Sequence, residues 1–258
     1  MKARYLVSAL VILCLQGCAV SPSFPDKALI EPKIVTASIT LEKQINERDG
    51  LAIPAGEDWL KIVEGTIPVV ITAPHATRPM REGKRRFSDG GGTAALAVAV
   101  GELTGATVMY TTYEGPSDPN YYDDNAFKHR LKELIDSTQP KIVLDIHGSH
   151  PYRSYDVDLG TMNGDSLLGN EALAHDLIKH LRAEGLVSIS YNRFSASKNR
   201  TITKFASNHG VPTIQLEFNS TWVTPSQGSI EAQRFSKLLQ ALVRFVNEAS
   251  NELGVASN

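Results

Sequence analysis

The segment KIVLDIHGSH, from Lys141 to His150, has the pattern of a buried β-strand that carries two ionisable residues. The apolar, largely β-branched run from Ile142 to Leu144 is typical of a strand covered on both faces. Asp145 and His147 follow, where further core residues would be expected. Because burying a carboxylate or an imidazole without a partner costs free energy, the segment predicts partners for both at the end of this strand.

On either side of this strand, apolar runs of strand length alternate with segments of helical periodicity. We predict strands at residues 60–63, 69–72, 107–111, 142–146, 156–160, 187–191 and 213–218, and helices at 93–103, 124–137, 172–183, 201–208 and 229–251. Strands separated by helices favour a mostly parallel or mixed sheet with helices on both faces. The expected fold is therefore α/β, a single three-layer αβα domain.

The first residues have the pattern of a bacterial lipoprotein signal. Lys2 and Arg4 precede an apolar core, and the core is followed by LQGC, which ends at Cys18. This pattern predicts a signal peptide over residues 1–17 and lipidation of Cys18. The alternative is an ordinary signal peptide in which Cys18 has no special role.

Residues 18–39 contain three prolines and predict an extended tether. We expect the domain to occupy residues 40–258. A lipidated Cys18 would anchor it to the bacterial cell envelope, on the periplasmic face of the outer membrane if the cell has two membranes.

Composition narrows the classes of function. The chain has 258 residues, 42% of them hydrophobic, and a formal net charge of −2. Without an excess of basic residues, nucleic acid is not expected as a partner. The only two cysteines are Cys14 and Cys18, so the predicted domain has neither a disulfide nor a thiolate metal site.

Three of the predicted strands end in polar residues. His75 follows the strand at 69–72, His147 follows Ile146, and Glu217 ends the last strand. Since the carboxyl ends of parallel strands meet at one edge of a sheet, these side chains are expected to lie together. Two imidazoles and a carboxylate are the groups that a catalytic zinc site uses, with one position left for water.

A third protein ligand is required, and no HExxH motif supplies one. Asp89, in the Gly-rich segment RFSDGGGT, is the best remaining acid. The alternative for Asp89 is a helix N-cap, which aspartate forms well. His150, three residues after His147, is an alternative ligand.

Five segments in order, TAPHAT, FSDGGGTAALAVAV, KIVLDIHG, YDVDLGT and VPTIQLEFN, resemble the N-formylglutamate amidohydrolase family from about Pro68 to Asn219. These enzymes are zinc-dependent amide hydrolases related in fold to the zinc carboxypeptidases. The resemblance implies that His75, Asp89 and His147 bind one Zn²⁺ ion and that Glu217 is the catalytic acid and base. The carboxypeptidase relatives have a glutamate three residues after the first histidine, where this chain has Arg78.

Further residues are candidates for supporting roles. Asp145 lies on the same face of the strand as His147 and is expected to accept its second ring N–H. Arg86, in the basic run TRPMREGKRRF, and Arg200 are candidates to bind a substrate carboxylate, and Asn120 is a candidate substrate contact. The alternative for the basic run is a solvated loop.

We therefore expect a membrane-anchored, zinc-dependent hydrolase of an amide bond in a small N-acyl amino acid or short peptide. A serine hydrolase is disfavoured because the chain has no GxSxG motif. The alternatives are a catalytically inactive ligand-binding lipoprotein on the same fold and a metal-dependent esterase.

Overall fold

A seven-stranded mixed sheet forms the middle layer of the fold. The computed structural model describes residues 30–255, and the predicted signal peptide and Cys18 lie outside them. The strands are β1 (Leu60–Val63), β2 (Val69–Ala73), β3 (Met80–Arg81), β4 (Lys84–Arg85), β5 (Thr107–Thr111), β6 (Ile142–Ser149), β7 (Val157–Gly160), β8 (Ile189–Tyr191) and β9 (Thr213–Asn219). The helices are α1 (Pro32–Arg48), α2 (Gly91–Thr104), α3 (Ala126–Thr138), α4 (Glu171–Ala183), α5 (Ile202–Asn208), α6 (Ser220–Val223) and α7 (Ser229–Val255), with 3₁₀ turns at Met162–Leu167 and Pro225–Gln227.

Strand β6 is at the centre of the sheet, whose order is β1-β5-β2-β6-β9-β7-β8. Its neighbours β2 and β9 both run parallel to it, so the carboxyl ends of all three strands lie at one edge. The pairs β1–β5 and β7–β9 are antiparallel, which makes the sheet mixed. The small β3–β4 hairpin is separate from it. The predicted α/β fold is confirmed.

The two faces of the central strand differ because side chains alternate along a strand. Leu144 and Ile146 belong to the larger apolar cluster, which covers one face throughout. On the other face Val143 is apolar, whereas Asp145 and His147 are polar and buried. This second face therefore changes from core to polar site toward the carboxyl end of the sheet.

Helices cover both faces, as a three-layer arrangement requires. The side chains of α1, α2, α4, α6 and α7 pack in the larger cluster, and those of α3 and α5 pack in the smaller one. At Gly92 in α2, an added Cβ would lie 1.6 Å from the Val223 carbonyl oxygen, so only glycine permits this approach of α2 to α6. Within residues 30–255, none of the helices combines the length and hydropathy needed to cross a membrane.

Helix α1 corrects the predicted tether. It begins at Pro32, so residues 32–39 are helical and not extended. Proline suits the first helical turn, because its missing N–H is not needed there. Ser38 and Ile45 of α1 are buried, and its apolar side chains pack against the main core. The fold therefore includes residues 32–39, which were predicted to be part of an extended tether.

Candidate metal centre

His75, Asp89 and His147 come together at the carboxyl edge of β2 and β6. His75 lies two residues after β2, His147 lies within β6, and Asp89 lies in the loop before α2. One ligand atom from each lies within 4.8 Å of the others. Asp89 Oδ2 is 2.7 Å from His147 Nδ1 and 3.6 Å from His75 Nδ1.

The contacts of His75 define its tautomer. Its Nε2 is 2.8 Å from Asp118 Oδ1, and its Nδ1 is 2.6 Å from Arg86 Nη1. A guanidinium has donors only, so His75 Nδ1 accepts and Nε2 carries the proton that it donates to Asp118. His75 is thus oriented with a lone pair on Nδ1, the form in which an imidazole binds a metal.

His147 is held between two carboxylates. Its Nε2 is 3.1 Å from Asp145 Oδ2, and its Nδ1 faces Asp89. Thr72 Oγ1 donates to Asp145 Oδ1 at 2.8 Å and fixes that carboxylate. Burial alone would lower the pKa of His147, but the carboxylates of Asp145 and Asp89 outweigh it and raise the pKa well above its usual value.

Asp89 is positioned by its own backbone and by β6. Its N–H donates to the His75 carbonyl at 2.7 Å. A Cβ added at Gly148 would lie 2.6 Å from the Asp89 carbonyl oxygen, so glycine allows the loop to lie directly on the strand. Burial raises the pKa of Asp89, but the hydrogen bond with the His147 imidazole lowers it by more, and the net direction is down. The alternative prediction that Asp89 is the N-cap of α2 is wrong, because the N-cap is Gly90 and no side chain caps this helix.

Glu217 lies beside His147, its registered partner on the adjacent strand. Gln215 Nε2 donates to Glu217 Oε1 at 3.0 Å. Burial raises the pKa of Glu217 to about 7, with the Asp89 charge adding to this and the His147 imidazole opposing it. Glu217 forms no ion pair with Arg200 or Lys204, because Arg200 pairs with Asp123 and Lys204 donates to the Ser197 carbonyl.

A cavity of about 340 Å³ opens over these residues. His75, His147 and Glu217 line its base. The loop after β8 forms a wall, and Asp158 holds this wall by accepting hydrogen bonds from two of its backbone N–H groups. Besides the three at the base, the lining residues are Arg81, Arg86, Asn120, Arg193, Phe194, Ser195, Ala196, Lys198, Asn199, Thr201 and Gln215.

Four cations line the cavity, and their partners differ. Arg81 donates to Asp118 Oδ2 through Nε at 2.9 Å and Nη2 at 2.6 Å. Arg86 contacts the imidazole of His75, and Arg193 donates to a serine hydroxyl. Among the described residues, the Lys198 ammonium has no hydrogen bond or ion pair, so it is available to an anionic ligand.

Asn120, a candidate substrate contact, does line the cavity. Its Oδ1 accepts from Ile202 N at 2.8 Å, which fixes the orientation of the amide. The Nδ2 group consequently faces His147 Nε2, 3.0 Å away. The amide nitrogen of Asn120 thus lies beside the His147 ring, and contact of Asn120 with substrate stays a prediction.

Two candidates lie away from the cavity. The exposed Arg200 guanidinium pairs with Asp123 and does not line this cavity, and binding of a substrate carboxylate by Arg200 stays a prediction. Its backbone does precede Thr201 on the wall, but the side chain is directed outward. His150 is exposed and accepts a hydrogen bond from Tyr152 N, so it is not an alternative ligand.

The basic run divides between structural and site contacts. Arg78 binds Asp49 and Arg85 binds Glu114, both away from the cavity. Arg81 and Arg86 lie in it. Part of the loop therefore forms ion pairs away from the cavity, and part of it supplies arginines that could bind an anion in the cavity.

Sequence reasoning missed two residues that contact the candidate site. Asp118 is fully buried between His75 and Arg81. Burial raises the pKa of Asp118, but the His75 hydrogen bond and the other partners lower it, and the net direction is down. Gln215 orients Glu217. The only sequence signal for either residue was its position relative to a candidate. Asp118 lies two residues before Asn120 in a loop, and Gln215 lies two residues before Glu217 on the same face of a strand.

The chemistry of the donor set fits a divalent metal ion such as zinc. Two imidazole Nδ1 atoms and one carboxylate oxygen converge. The other nitrogen of each ring faces a buried carboxylate, Asp118 for His75 and Asp145 for His147. Such outer carboxylates orient metal-binding histidines and increase their basicity.

Comparison with known proteins supports the fold. No family model matches the sequence, and no curated protein matches it. N-formylglutamate amidohydrolase from Ralstonia eutropha JMP134 is similar in structure, with a TM-score of 0.55 and 13% identity over 76% of this chain and 98% of that one. The product Atu2144 from Agrobacterium tumefaciens has a TM-score of 0.51 and 13% identity over 78% and 98% of the two chains. The chain shares the fold of an N-formylglutamate amidohydrolase.

This likeness confirms the predicted resemblance at the level of the fold. A metallo-carboxypeptidase from Pseudomonas aeruginosa is also similar, with a TM-score of 0.48 and 13% identity over 84% of this chain and 68% of that one. Because one fold hosts many activities, the fold alone does not identify the reaction.

Proposed function

We propose that the chain is a zinc-dependent hydrolase of amide bonds. The observation that carries the proposal is the convergence of one ligand atom each from His75, His147 and Asp89 within 4.8 Å, beside a cavity that His75, His147 and Glu217 line. Three protein ligands with a carboxylate beside them are the set that catalytic zinc sites use. The fold, shared with an N-formylglutamate amidohydrolase, supports the same reaction class.

Glu217 is the acid and base of the proposed reaction. A bound zinc ion polarises the substrate carbonyl and increases the acidity of water at the site. Glu217 accepts a proton from the attacking water and delivers it to the leaving amine. Its pKa of about 7 suits both transfers at neutral pH.

The substrate is proposed to be a small N-acyl amino acid or short peptide with a free carboxylate. Arg86, Arg193 and Lys198 line the cavity. Arg86 Nε lies 3.9 Å from Asp118 Oδ2, and among the described residues neither the Arg193 nor the Lys198 side chain has an acidic partner, so a substrate carboxylate would supply one. Guanidinium groups bind carboxylates with charge-assisted hydrogen bonds. Asn120 adds two N–H donors near His147.

The proposed location is the bacterial cell envelope. It is supported by the signal pattern and LQGC segment that end at Cys18. Lipidation of Cys18 would anchor the enzyme, on the periplasmic face of the outer membrane in a cell with two membranes.

Metal content tests the proposal. The full-length protein, purified in detergent, is expected to bind about one zinc ion per chain, as a three-ligand site requires. His75→Ala and His147→Ala should each abolish binding. His150→Ala is the matched control, since this histidine is exposed and outside the cavity, and it should bind zinc like the wild type. A folded wild type that binds no supplied zinc would exclude the proposed reaction.

A further inference from the structure

The end of helix α1 is joined to both loops that carry proposed metal ligands. Asp49, the residue after α1, accepts hydrogen bonds through both carboxylate oxygens. Its Oδ1 accepts from Arg78 N at 2.7 Å, and its Oδ2 accepts from Arg78 Nε and Ser88 Oγ, each at 3.0 Å. Arg78 lies three residues after His75, and Ser88 directly precedes Asp89. One carboxylate therefore connects the two loops.

We propose that Asp49 is a positioning residue that keeps Asp89 at the metal centre opposite His75. This inference rests on the proposed metal site. Asp89 belongs to neither a strand nor a helix, and Gly90, which follows it, has a φ of 91° that only glycine adopts readily. Because the Asp89 segment lacks the hydrogen-bond ladder of a strand or helix, its position depends on individual contacts, and a metal site requires its ligands within about 0.5 Å of the productive geometry.

Helix α1 is itself fixed, which makes Asp49 an effective anchor. Asn46 Oδ1 accepts from Gly91 N at 2.8 Å, at the start of α2. Glu42 Oε2 accepts from Ser226 N at 2.8 Å, in the 3₁₀ turn after α6. The last turns of α1 therefore contact the helix that follows Asp89 and the segment that follows β9. Asp49 extends this rigid base to the two ligand loops.

The exposure of the Arg78–Asp49 pair indicates that the hydrogen bonds of Asp49 hold the two loops in position more than they stabilise the whole fold. The side chain of Arg78 is 46% exposed and that of Asp49 is 13% exposed. Ion pairs so accessible to water add little to the free energy of unfolding. Loss of Asp49 is therefore expected to loosen the site while the fold persists.

The experiment compares zinc affinity with thermal stability. Zinc dissociation constants are measured by chelator competition on the full-length wild type and on the Asp49→Ala, Asp49→Asn and Ser88→Ala variants, and the Tm of each metal-free protein is recorded. Asp49→Ala should raise the dissociation constant about tenfold, the lower end of the range for residues that support metal ligands. Ser88→Ala should raise it less, and adding it to Asp49→Ala should have no further effect, because both remove the same link.

Arg85 and Glu114 provide the matched control. Arg85 Nε lies 2.5 Å from Glu114 Oε2, and the two side chains are 57% and 20% exposed, close to the exposure of the Arg78–Asp49 pair. This pair does not contact Ser88, so Glu114→Ala should leave zinc affinity unchanged.

The outcomes separate this inference from the proposed function. Unchanged zinc affinity in Asp49→Ala, or an equal loss in Glu114→Ala, would overturn the positioning role. If Asp49→Ala does not fold, the test rests on Ser88→Ala and Asp49→Asn. Zinc affinity equal to that of the wild type in both of these variants would also overturn the positioning role of Asp49. A wild type that binds no zinc would instead refute the metal site itself.

Discussion

His75 Nε2 donates a hydrogen bond to Asp118 Oδ1 at 2.8 Å, although the two residues are 43 positions apart in the chain. Asp118 is fully buried and also accepts two hydrogen bonds from Arg81 on its other oxygen. This carboxylate sets the tautomer of His75, so that the lone pair lies on Nδ1, which accepts from Arg86 Nη1 and would be the nitrogen that binds a metal ion. Asp118 is therefore as important to the candidate site as the residues that line it.

Removing Asp118 should weaken zinc binding. We expect Asp118→Ala to raise the zinc dissociation constant by roughly 10- to 100-fold, because His75 loses the acceptor that orients it. Asp118→Asn should have a smaller effect, since its amide oxygen can still accept from His75. Chelator competition measures both. Asp123→Ala, which removes a largely exposed carboxylate, is the control, and a loss of affinity there as large as in Asp118→Ala would contradict the prediction.

Replacing Glu217 by Gln should remove turnover and retain zinc. Glutamine occupies the same volume but cannot accept the proton from water, so kcat should fall by at least about 100-fold. Turnover of N-acyl amino acids and their matched esters is measured beside zinc content. The alternative of an inactive binding lipoprotein predicts no turnover in the wild type either. Activity in Glu217→Gln equal to that of the wild type would remove Glu217 from the mechanism.

Adding a methyl group at Gly148 should displace Asp89. The new Cβ would lie 2.6 Å from the Asp89 carbonyl oxygen, a distance that requires the loop to shift. We expect Gly148→Ala to reduce zinc affinity about tenfold or more, measured by competition. Ser149→Ala is the control, since it changes the same strand without adding an atom beside Asp89. Equal affinities for Gly148→Ala and the wild type would show that the loop adjusts freely.

Neutralising Glu42 should stabilise the fold at neutral pH. Glu42 is 1% exposed, and burial raises its pKa above the usual value. The ionised form of Glu42 is therefore less favourable in the folded protein. The contribution of Glu42 to the free energy of unfolding is fully present below about pH 4 and is lost as pH rises through the folded pKa. Glu42→Gln can still accept the Ser226 N–H and lacks this loss. Urea unfolding at several pH values should show a variant more stable than the wild type at pH 7, with a difference that disappears below about pH 4. A difference independent of pH would contradict the assignment to ionisation.

Lys198 should affect the affinity for anionic substrates. Lys198 lines the cavity, and its ammonium has no partner within residues 30–255, so Lys198→Ala is expected to raise KM for an N-acyl amino acid about tenfold, the cost of one hydrogen bond to a charged group. The same substrate as its neutral carboxamide should show no change. Arg200→Ala is the control because its guanidinium pairs with Asp123 outside the cavity. Equal effects of Lys198→Ala on both substrates would show that the lysine does not bind the carboxylate.

The sequence was sufficient to predict the seven strands of the main sheet and five of the helices. The runs around Ile71, Val108, Leu144 and Leu216 identify strands because side-chain periodicity is a local property. The placement of His147 and Glu217 side by side also followed from sequence, since parallel strands bring their carboxyl ends to one edge. Helix α1 is not evident from the sequence, because proline is compatible with both an extended segment and a first helical turn, and Pro32 begins this helix.

What the sequence by itself determined was which strands form and which polar residues end them, because those features depend on neighbours along the chain. Only the tertiary structure decided that Asp118 orients His75, that Asp49 joins two loops, and that Arg200 faces away from the cavity. These contacts connect segments that are distant in sequence and lie in loops without periodicity. Their geometry is fixed by packing of the whole fold, and a linear pattern contains no record of it.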